Sequence, residues 1–598
     1  MSTIYCKSLY MGFGLLVLNL SINIHCFALF PISTFPCPSF MNMKSQTVLD
    51  HESDRTFRKL QPSQWADHFL YVPFDELELD VIASELEVIK PKVKDILMSH
   101  SQAEGHDSAK RQTLLIYLMT SLGVAYHFEN EIEEILSHAF EKMYDMVVNE
   151  QDLYTISISF WVFRTYGHNM SSDVFKRFKG EDGKFMDSLT KDAKGMLSLY
   201  EASHLRTMKD CIMDEALSFT TRHLKSLAGR ESPHLSRLIH NALGLSQHWN
   251  MEILAAMEYI SFYEHVEDHD EIILKFSKLN FKFLQLLYLK ELKIVTKWYK
   301  ELEFASNLPP YFRDRIVELH FFVISMYFEP QFSCARIMLT KFYTAETIID
   351  DTFDRYASIH EAEILANSLE RWAPDKDMDR QPTYLKFVFE FIMDVFKDFE
   401  REVGSEGRSY SVKGTLDEFK RLVKSTLDLA KWAQAANVPS FEDYMEVGEV
   451  EITMYATMAG TLMGMGHIAT EKAYEWLKSR PKLIQSLSIN GRLMNDMAGF
   501  EDDMSRGYVT TGVNCYMKQY GVTKNEAFRA LHKMRVDNDK IVNEEFLMTK
   551  NVPRRVLKEA INCARMTNVA YGYGEGLTEP EGKIKDYIIS LYLDPIRL

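Results

Sequence analysis

The chain has 598 residues and a formal net charge of −17, from 68 Lys and Arg against 85 Asp and Glu. Apolar residues make up 46% and charged residues 26%, which excludes a mostly disordered chain, a collagen-like fibre and a polytopic membrane protein. The acidic balance, with no long Lys/Arg run, argues against nucleic acid as a partner.

The first 43 residues differ from the rest of the chain. No Asp, Glu, Lys or Arg occurs between Ser8 and Met43, and residues 9–30 are largely apolar. Three interpretations stay open for residues 1–43: a secretory signal or weak membrane anchor, an atypical organelle transit peptide, or an upstream extension with translation starting at Met41 or Met43. We expect no stable membrane span in the mature protein.

From Trp65 to the end, apolar residues recur with helical spacing. Within residues 129–148 they follow the i, i+3, i+4, i+7 pattern, and strict alternation is rare throughout. The hairpin-type pairs at 182–183 and 490–491 do not lie between alternating runs. The sequence therefore predicts an all-α protein.

Helix-breaking residues and charge divide this helical region. Breaks are predicted at residues 180–183, 229–233, 308–310, 371–382 and 404–407. The acidic run 265–271 suits the positive N-terminal end of a helix. A domain boundary near Asp270 gives an N-terminal helical domain over residues 55–270 and a C-terminal domain over residues 271–598.

The first candidate site is the run Asp350-Asp351-Thr352-Phe353-Asp354. No Gly or Pro lies between residues 341 and 360, so we predict a helix with Asp350 and Asp354 on one face. The two carboxylates repel each other, and Mg²⁺ prefers one or two carboxylates together with water and phosphate oxygens. The alternative is a solvated acidic face, but apolar flanking residues suggest a mostly buried helix, where unpaired carboxylates are costly.

The second candidate site follows Arg492. On a helix, Asn495, Gly499 and Asp503 share one stripe at i, i+4 and i+8; Asn and Asp offer oxygen ligands, and Gly leaves room for a water. A solvated helix end is the alternative, yet opposite an acidic helix this stripe would form the other wall of a metal site.

Arginines accompany both acidic segments. Arg313 and Arg315 follow the 308–310 break, and Arg492 lies one turn before Asn495. The guanidinium fork binds phosphate oxygens in pairs, although surface charge is the simpler explanation for Arg313 and Arg315 alone. Taken together, these groups predict a metal-dependent diphosphate site in an aromatic-rich interior, where aromatic faces stabilise a carbocation.

Other chemistries lack their motifs. His360-Glu361 has no second His at zinc-protease spacing, and neither a GxSxG elbow nor a P-loop occurs. The seven Cys are scattered without a CxxC pair, which predicts reduced, buried thiols rather than a disulfide framework.

From about residue 55 to the end, the sequence resembles plant class I terpene synthases of the angiosperm sesquiterpene type. The markers, in order, are Arg55 and Trp65 spaced as R(x)9W, RDR at 313–315, YFEPQFSCAR at 327–336, DDTFD at 350–354, and NDMAGFEDD with SRG at 495–507. The resemblance implies an N-terminal relic α-barrel and a C-terminal class I terpenoid synthase helical bundle that holds the active site.

The resemblance also implies roles for individual residues. Metal ligands are expected at Asp350, Asp354, Asn495, Gly499 and Asp503, with three Mg²⁺ per site and Mn²⁺ as an alternative ion. Arg313, Arg315 and Arg492 are expected to bind diphosphate and support catalysis, and Asp351 to act behind the ligands. Tyr571 and Tyr573 are candidate caps of the pocket, and Trp298 is either a lining residue or core.

Four positions depart from the family pattern. Gly499 stands where Ser or Thr is usual, and Asp503 stands where Glu is usual, so a water would replace a hydroxyl and the carboxylate is shorter. Phe322 replaces a frequent Trp in the substrate pocket and is a weaker cation partner. Thr56 replaces the second Arg typical of monoterpene synthases, which favours a sesquiterpene synthase.

We therefore expect a monomeric, Mg²⁺-dependent carbon–oxygen lyase that ionises farnesyl diphosphate, a prenyl diphosphate, to a sesquiterpene in the cytoplasm. A C20 or C25 substrate remains an alternative, particularly if residues 1–43 direct the chain to the plastid. A chain-elongating prenyltransferase fits less well, because it normally has two Asp-rich motifs and no second helical domain. A catalytically dead helical scaffold is the alternative of another class.

Overall fold

A computed structural model describes residues 60, 62–99, 106–143, 147 and 150–598, so Arg55 and residues 1–43 lie outside the described residues. Within these ranges the chain forms helices and turns, with two isolated β-bridges and no strand. The all-α prediction is confirmed. Among the described helices, none combines the length and the apolar run needed to cross a bilayer.

The N-terminal part is a set of mostly short helices. Its helices are α1 His68–Tyr71, α2 Glu76–Ser99, α3 His106–Ser121, α4 Glu129–Glu141, α5 Leu153–Thr165, α6 Ala193–Ser203, α7 Cys211–Leu227, α8 Pro233–Gly244 and α9 Glu252–Tyr263.

The C-terminal part contains the longer helices. They are α10 Glu271–Glu301, α11 Phe304–Asn307, α12 Ile316–Met326, α13 Ser333–Arg355, α14 Ile359–Arg371, α15 Thr383–Gly404, α16 Ser409–Gln434, α17 Phe441–Glu451, α18 Met454–Gly464, α19 Glu471–Lys478, α20 Lys482–Ser505, α21 Gly512–Tyr520, α22 Lys524–Met548, α23 Arg554–Tyr571 and α24 Lys583–Tyr592.

Local capping explains where several of these helices begin. Ser232 accepts a hydrogen bond from the Leu235 amide ahead of Pro233, so the predicted break at 229–233 ends in a capped start of α8. The Asp270 side chain accepts from the amides of Ile272 and Ile273, which places the start of α10 at the acidic run. The breaks near 308, 371–382 and 404–407 also separate helices, as predicted.

The sequence-based expectations need two local corrections. The helix predicted across 341–360 ends at Arg355. The pair 490–491 lies inside α20, which agrees with the expectation that it does not form a hairpin turn. Cys211 is exposed, whereas Cys515 and Cys563 are buried, so the prediction of buried thiols is wrong for Cys211.

Helix α10 joins the two halves of the molecule. It packs against α2 of the N-terminal part and against α12 and α13 of the C-terminal part. Its apolar residues belong to the same buried cluster as those of α2 to α5, while a second cluster includes residues of α13 to α16 and of α18. The proposed domain division at residue 270 therefore coincides with the start of a helix that both parts share, and it stays a prediction.

Candidate active site

A cavity of about 390 Å³ opens within the C-terminal bundle. Helices α12, α13, α16, α17, α18, α20 and α23, together with the 572–582 loop, contribute to its walls. Its volume lies toward the lower end of the range of pockets that hold small molecules. Of the predicted site residues, those that line this one cavity are Arg313, Phe322, Asp350, Asp354, Arg492, Asn495, Gly499 and Asp503.

Asp350 and Asp354 form the acidic face of α13. They line the cavity one helical turn apart, near the helix C-terminus. The helix ends because Tyr356 leaves helical geometry (φ −138°, ψ −49°), and Ser358 with Glu361 then builds a capping box that starts α14. Burial and the charge of Asp350 raise the pKa of Asp354, although Arg355 opposes the shift.

Asp351 turns away from the cavity and holds Arg313. It is fully buried, accepts a hydrogen bond from the Arg313 amide at 2.6 Å, and lies 2.9 Å from Arg313 Nε. Arg355 Nε donates to its other oxygen at 3.1 Å. Burial raises the pKa of Asp351 to about 6 against the pull of both arginines. This arrangement places Asp351 behind the cavity wall.

The second wall is the α20 stripe of Asn495, Gly499 and Asp503. Burial raises the pKa of Asp503 to about 6; Arg506 opposes this shift, while the charges of Asp496 and Asp354 add to it. Because Asp354 belongs to α13, the carboxylates of the two walls repel each other across the cavity. The site therefore concentrates negative charge, which a hard cation would relieve.

Two buried arginines stand between the walls. Arg313 pairs with Asp350 and reaches Thr578 Oγ1 at 3.4 Å, so it links α13 to the C-terminal loop. Arg492 donates to Glu451 at 2.5 Å, lies 3.0 Å from Asp496 and also contacts Asn495. Its buried Nε has no hydrogen-bond partner in the described part of the chain, so donor capacity remains.

Arg315 is the predicted site residue that the structure places elsewhere. It is buried, but it is not among the residues that line the cavity. Its guanidinium donates to the Leu577 carbonyl at 3.0 Å and the Thr578 carbonyl at 3.1 Å. Arg315 thus holds the 572–582 loop in this structure, and its diphosphate-binding role stays a prediction.

Aromatic and apolar side chains also line the cavity. Phe322 of α12 is buried there, and the Tyr571 hydroxyl accepts a hydrogen bond from Asn495 Nδ2 at 3.2 Å. Tyr573 is 49% exposed and is not among the lining residues. Trp298 packs in the core beside Phe391, with ring centroids 6.2 Å apart. Only Tyr571 among these three side chains therefore borders the cavity.

Several lining carboxyls were not predicted as site residues, among them Glu451 and Glu346. Glu451 ends α17 and pairs with Arg492; burial raises its pKa to about 7, with Arg492 opposing and Asp350, Asp496 and Asp354 reinforcing the shift. Glu346 lies one turn before Asp350 on α13. A possible signal for Glu346 was its i, i+4 spacing from Asp350 in an apolar run; Glu451 left no comparable signal.

Two regions of the chain match known family descriptions. Residues 300–541 match the metal binding domain of the terpene synthase family, and residues 64–243 match the terpene synthase N-terminal domain. The two matches cover most of both helical parts. The chain belongs to the terpene synthase family, a family of enzymes that act as lyases on diphosphates.

Curated relatives from Arabidopsis thaliana match almost end to end. Terpenoid synthase 8 is 59% identical over 549 residues, covering 92% of this chain and 91% of that protein. (Z)-gamma-bisabolene synthase 1 is 52% identical and alpha-barbatene synthase 51%, each over 559 residues, 93% of this chain and all of the relative.

Solved structures show the same architecture. A limonene synthase with 2-fluorolinalyl diphosphate matches with a TM-score of 0.82 at 25% identity, covering 91% of this chain and 100% of that one. Isoprene synthase from grey poplar, in complex with three Mg²⁺ ions and dimethylallyl-S-thiolodiphosphate, matches with a TM-score of 0.79 at 26% identity, covering 90% and 99%. These likenesses confirm the expected two-part terpene synthase fold.

Proposed function

We propose that the chain is an Mg²⁺-dependent sesquiterpene synthase that converts farnesyl diphosphate into a sesquiterpene and diphosphate. The observation that carries the proposal is the convergence of two oxygen-rich walls, Asp350 with Asp354 and the Asn495, Gly499, Asp503 stripe, on one cavity. Arg313 and Arg492 border the same cavity, so metal ligands and diphosphate donors are adjacent.

The residues present fit Mg²⁺. Both walls offer carboxylate or amide oxygens, and the mutual repulsion of Asp354 and Asp503 marks a place where a dication is favourable. Bound Mg²⁺ would neutralise the diphosphate charge and make it a better leaving group. The solved isoprene synthase with three Mg²⁺ ions supports the expectation of three ions here, and Mn²⁺ is an alternative for the same oxygen ligands.

The remaining groups bind, orient and exclude water. Arg313 and Arg492 would exchange part of their carboxylate contacts for phosphate oxygens, and Arg315 would keep the 572–582 loop beside the cavity. The faces of Phe322 and Tyr571 would stabilise the allylic cation. The apolar walls would then guide ring closure before a proton is lost.

The choice of a C15 substrate rests on the relatives and on one departure in the sequence. Relatives that are 51–52% identical carry the names bisabolene synthase and barbatene synthase. Thr56, in place of the second Arg of monoterpene synthases, points away from a C10 substrate. We further propose that the enzyme acts as a monomer in the cytoplasm.

Incubation with a panel of substrates tests this proposal. Purified full-length protein is given geranyl, farnesyl, geranylgeranyl or geranylfarnesyl diphosphate separately, with Mg²⁺ or with excess EDTA, and products are read by gas chromatography–mass spectrometry. We expect a C15 product from farnesyl diphosphate that disappears with EDTA. Turnover only of a C20 or C25 substrate would replace the proposed substrate; no product from any of them, in folded protein, would favour the dead scaffold.

The Gly499 position offers a second test of metal binding. A Cβ built there would meet only Asp503 Oδ2, at 3.6 Å, so Gly499→Ser fits without rearrangement. We expect the Mg²⁺ concentration for half-maximal rate to fall by up to about thirtyfold, because a direct ligand avoids the ~0–2 kcal/mol cost of immobilising a bridging water.

Gly499→Ala is the matched control, because it adds the Cβ and stiffens α20 in the same way but brings no oxygen. The two variants are compared in Mg²⁺ titrations of the initial rate. If Gly499→Ser and Gly499→Ala reach half-maximal rate at the same Mg²⁺ concentration, the side chain at position 499 does not contact the metal.

A further inference from the structure

Glu346 is a carboxyl without a partner in the cavity wall. Its side chain is 94% buried (6% exposed), lines the cavity, and has an Oε1 that no described residue hydrogen-bonds. Asp350, Asp351 and Glu451 each contact an arginine, whereas no Lys or Arg of the described residues pairs with Glu346. Burial raises its pKa well above the ordinary value, which favours the neutral form of the carboxyl.

The polar side chains around Glu346 are already engaged. Tyr343 donates its hydroxyl to Met566 Sδ at 3.5 Å, and Thr347 donates to the Tyr343 carbonyl at 2.8 Å. Burying a carboxyl with no hydrogen bond is costly, and such groups are rare in native interiors. The unshared oxygen of Glu346 is therefore available to a molecule in the cavity.

We propose that Glu346 is the residue that accepts the terminal proton from the carbocation, an inference that rests on the proposed terpene synthase reaction. A C–H bond next to the cationic carbon breaks, its electron pair forms the C=C bond of the product, and the proton moves to the Glu346 carbonyl oxygen. When the cavity opens, the extra proton passes to water or to the diphosphate product, and the neutral carboxyl is restored.

A neutral carboxyl is basic enough for this step. The C–H bonds beside a carbocation are far stronger acids than a protonated carbonyl group, so transfer to the oxygen is downhill without prior ionisation. A proton is transferred only when the accepting oxygen lies within reach of it. An oxygen held at a fixed place in an apolar wall therefore selects which hydrogen beside the cationic carbon is lost. Glu346 would thus determine the double-bond position in the product.

The test uses two substitutions of similar size in the full-length enzyme. Glu346→Gln keeps a carbonyl oxygen and cannot ionise, whereas Glu346→Leu removes both oxygens. Each variant is given farnesyl diphosphate and Mg²⁺, and its products are resolved by gas chromatography–mass spectrometry. We expect Gln to keep the main olefin of the wild type and Leu to lower its share about tenfold or more in favour of double-bond isomers or alcohols.

Two controls test whether Glu346→Leu still folds and whether the Tyr343 hydroxyl accepts the proton instead of Glu346. The Tm of Glu346→Leu should be no lower than that of the wild type, because an unpartnered buried carboxyl is removed. Tyr343→Phe should keep the product pattern. The inference is overturned if Glu346→Leu leaves the product distribution unchanged or if Glu346→Gln changes it as Glu346→Leu does. It is also overturned if Tyr343→Phe, rather than Glu346→Leu, shifts the double bond of the product. Failure of the proposed function looks different, since wild type would then make no C15 product.

Discussion

Replacing Asp350 with alanine is expected to lower kcat/KM by about 10³-fold or more, since metal-borne charge stabilisation of several kcal/mol depends on its carboxylate. Asp350 lines the cavity, and among the described residues its side chain forms an ion pair with Arg313. Asp351 also contacts Arg313, so Arg313 keeps one carboxylate partner when Asp350 is replaced. Its side chain is 38% exposed, so folding should not suffer. The measurement is the initial rate with farnesyl diphosphate and Mg²⁺, together with Tm.

Asp394→Ala provides the matched control for Asp350→Ala. Asp394 is an exposed carboxylate on α15 that makes an i, i+3 pair with Lys397 outside the cavity. It should keep wild-type rates, because an exposed pair contributes little. An Asp350→Ala enzyme that retains a tenth of the wild-type rate would contradict the metal role of the first wall.

The helical faces of the site could be read from the sequence because they depend on local spacing. Asp350 and Asp354 lie on one face of α13, and Asn495, Gly499 and Asp503 on one face of α20, as i, i+4 periodicity requires. That α13 and α20 form opposite walls was suggested by the family resemblance. Spacing within one helix carries no information about the packing of another.

Two features of the site differ from the sequence-based prediction. The end of α13 had a local signal in the sequence, whereas the orientation of Arg315 depends on long-range contacts. The end of α13 is marked in the sequence by the capping-box pair Ser358 and Glu361, which the prediction from the absence of Gly and Pro overlooked. The orientation of Arg315 depends on carbonyls 262 and 263 residues away, at Leu577 and Thr578. No local pattern reports such a contact.

The burial of the titratable groups was likewise beyond local reasoning. The sequence suggested that the Asp350 helix is mostly buried, and the family resemblance placed Asp351 behind the ligands, but neither indicated that Arg313 and Arg355 enclose Asp351. Glu346 and Glu451 lie on different helices, and both line the same cavity because of the way these helices pack. The set of charged side chains around the cavity is therefore determined by the packing of several helices, and no single sequence motif contains it.

Replacing Arg492 with methionine should affect both stability and activity. Arg492 is the only arginine that the described contacts place on both Glu451 and Asp496, and all three side chains are largely buried. Removing one partner of a buried ion pair costs about 3–5 kcal/mol, because the remaining charge loses its compensation. We expect a clearly lower Tm and no measurable turnover with farnesyl diphosphate.

A second substitution separates these two effects. Glu451→Gln in the Arg492→Met background removes one orphaned carboxylate, so part of the lost Tm should return. Asp496 keeps its hydrogen bonds from the Tyr444 hydroxyl at 2.8 Å and the Gly512 amide at 3.0 Å, which limits the remaining cost. Turnover should stay absent, because no guanidinium remains at that position to bind diphosphate. If activity returned together with stability, Arg492 would be a structural residue, and the diphosphate would depend on Arg313 alone.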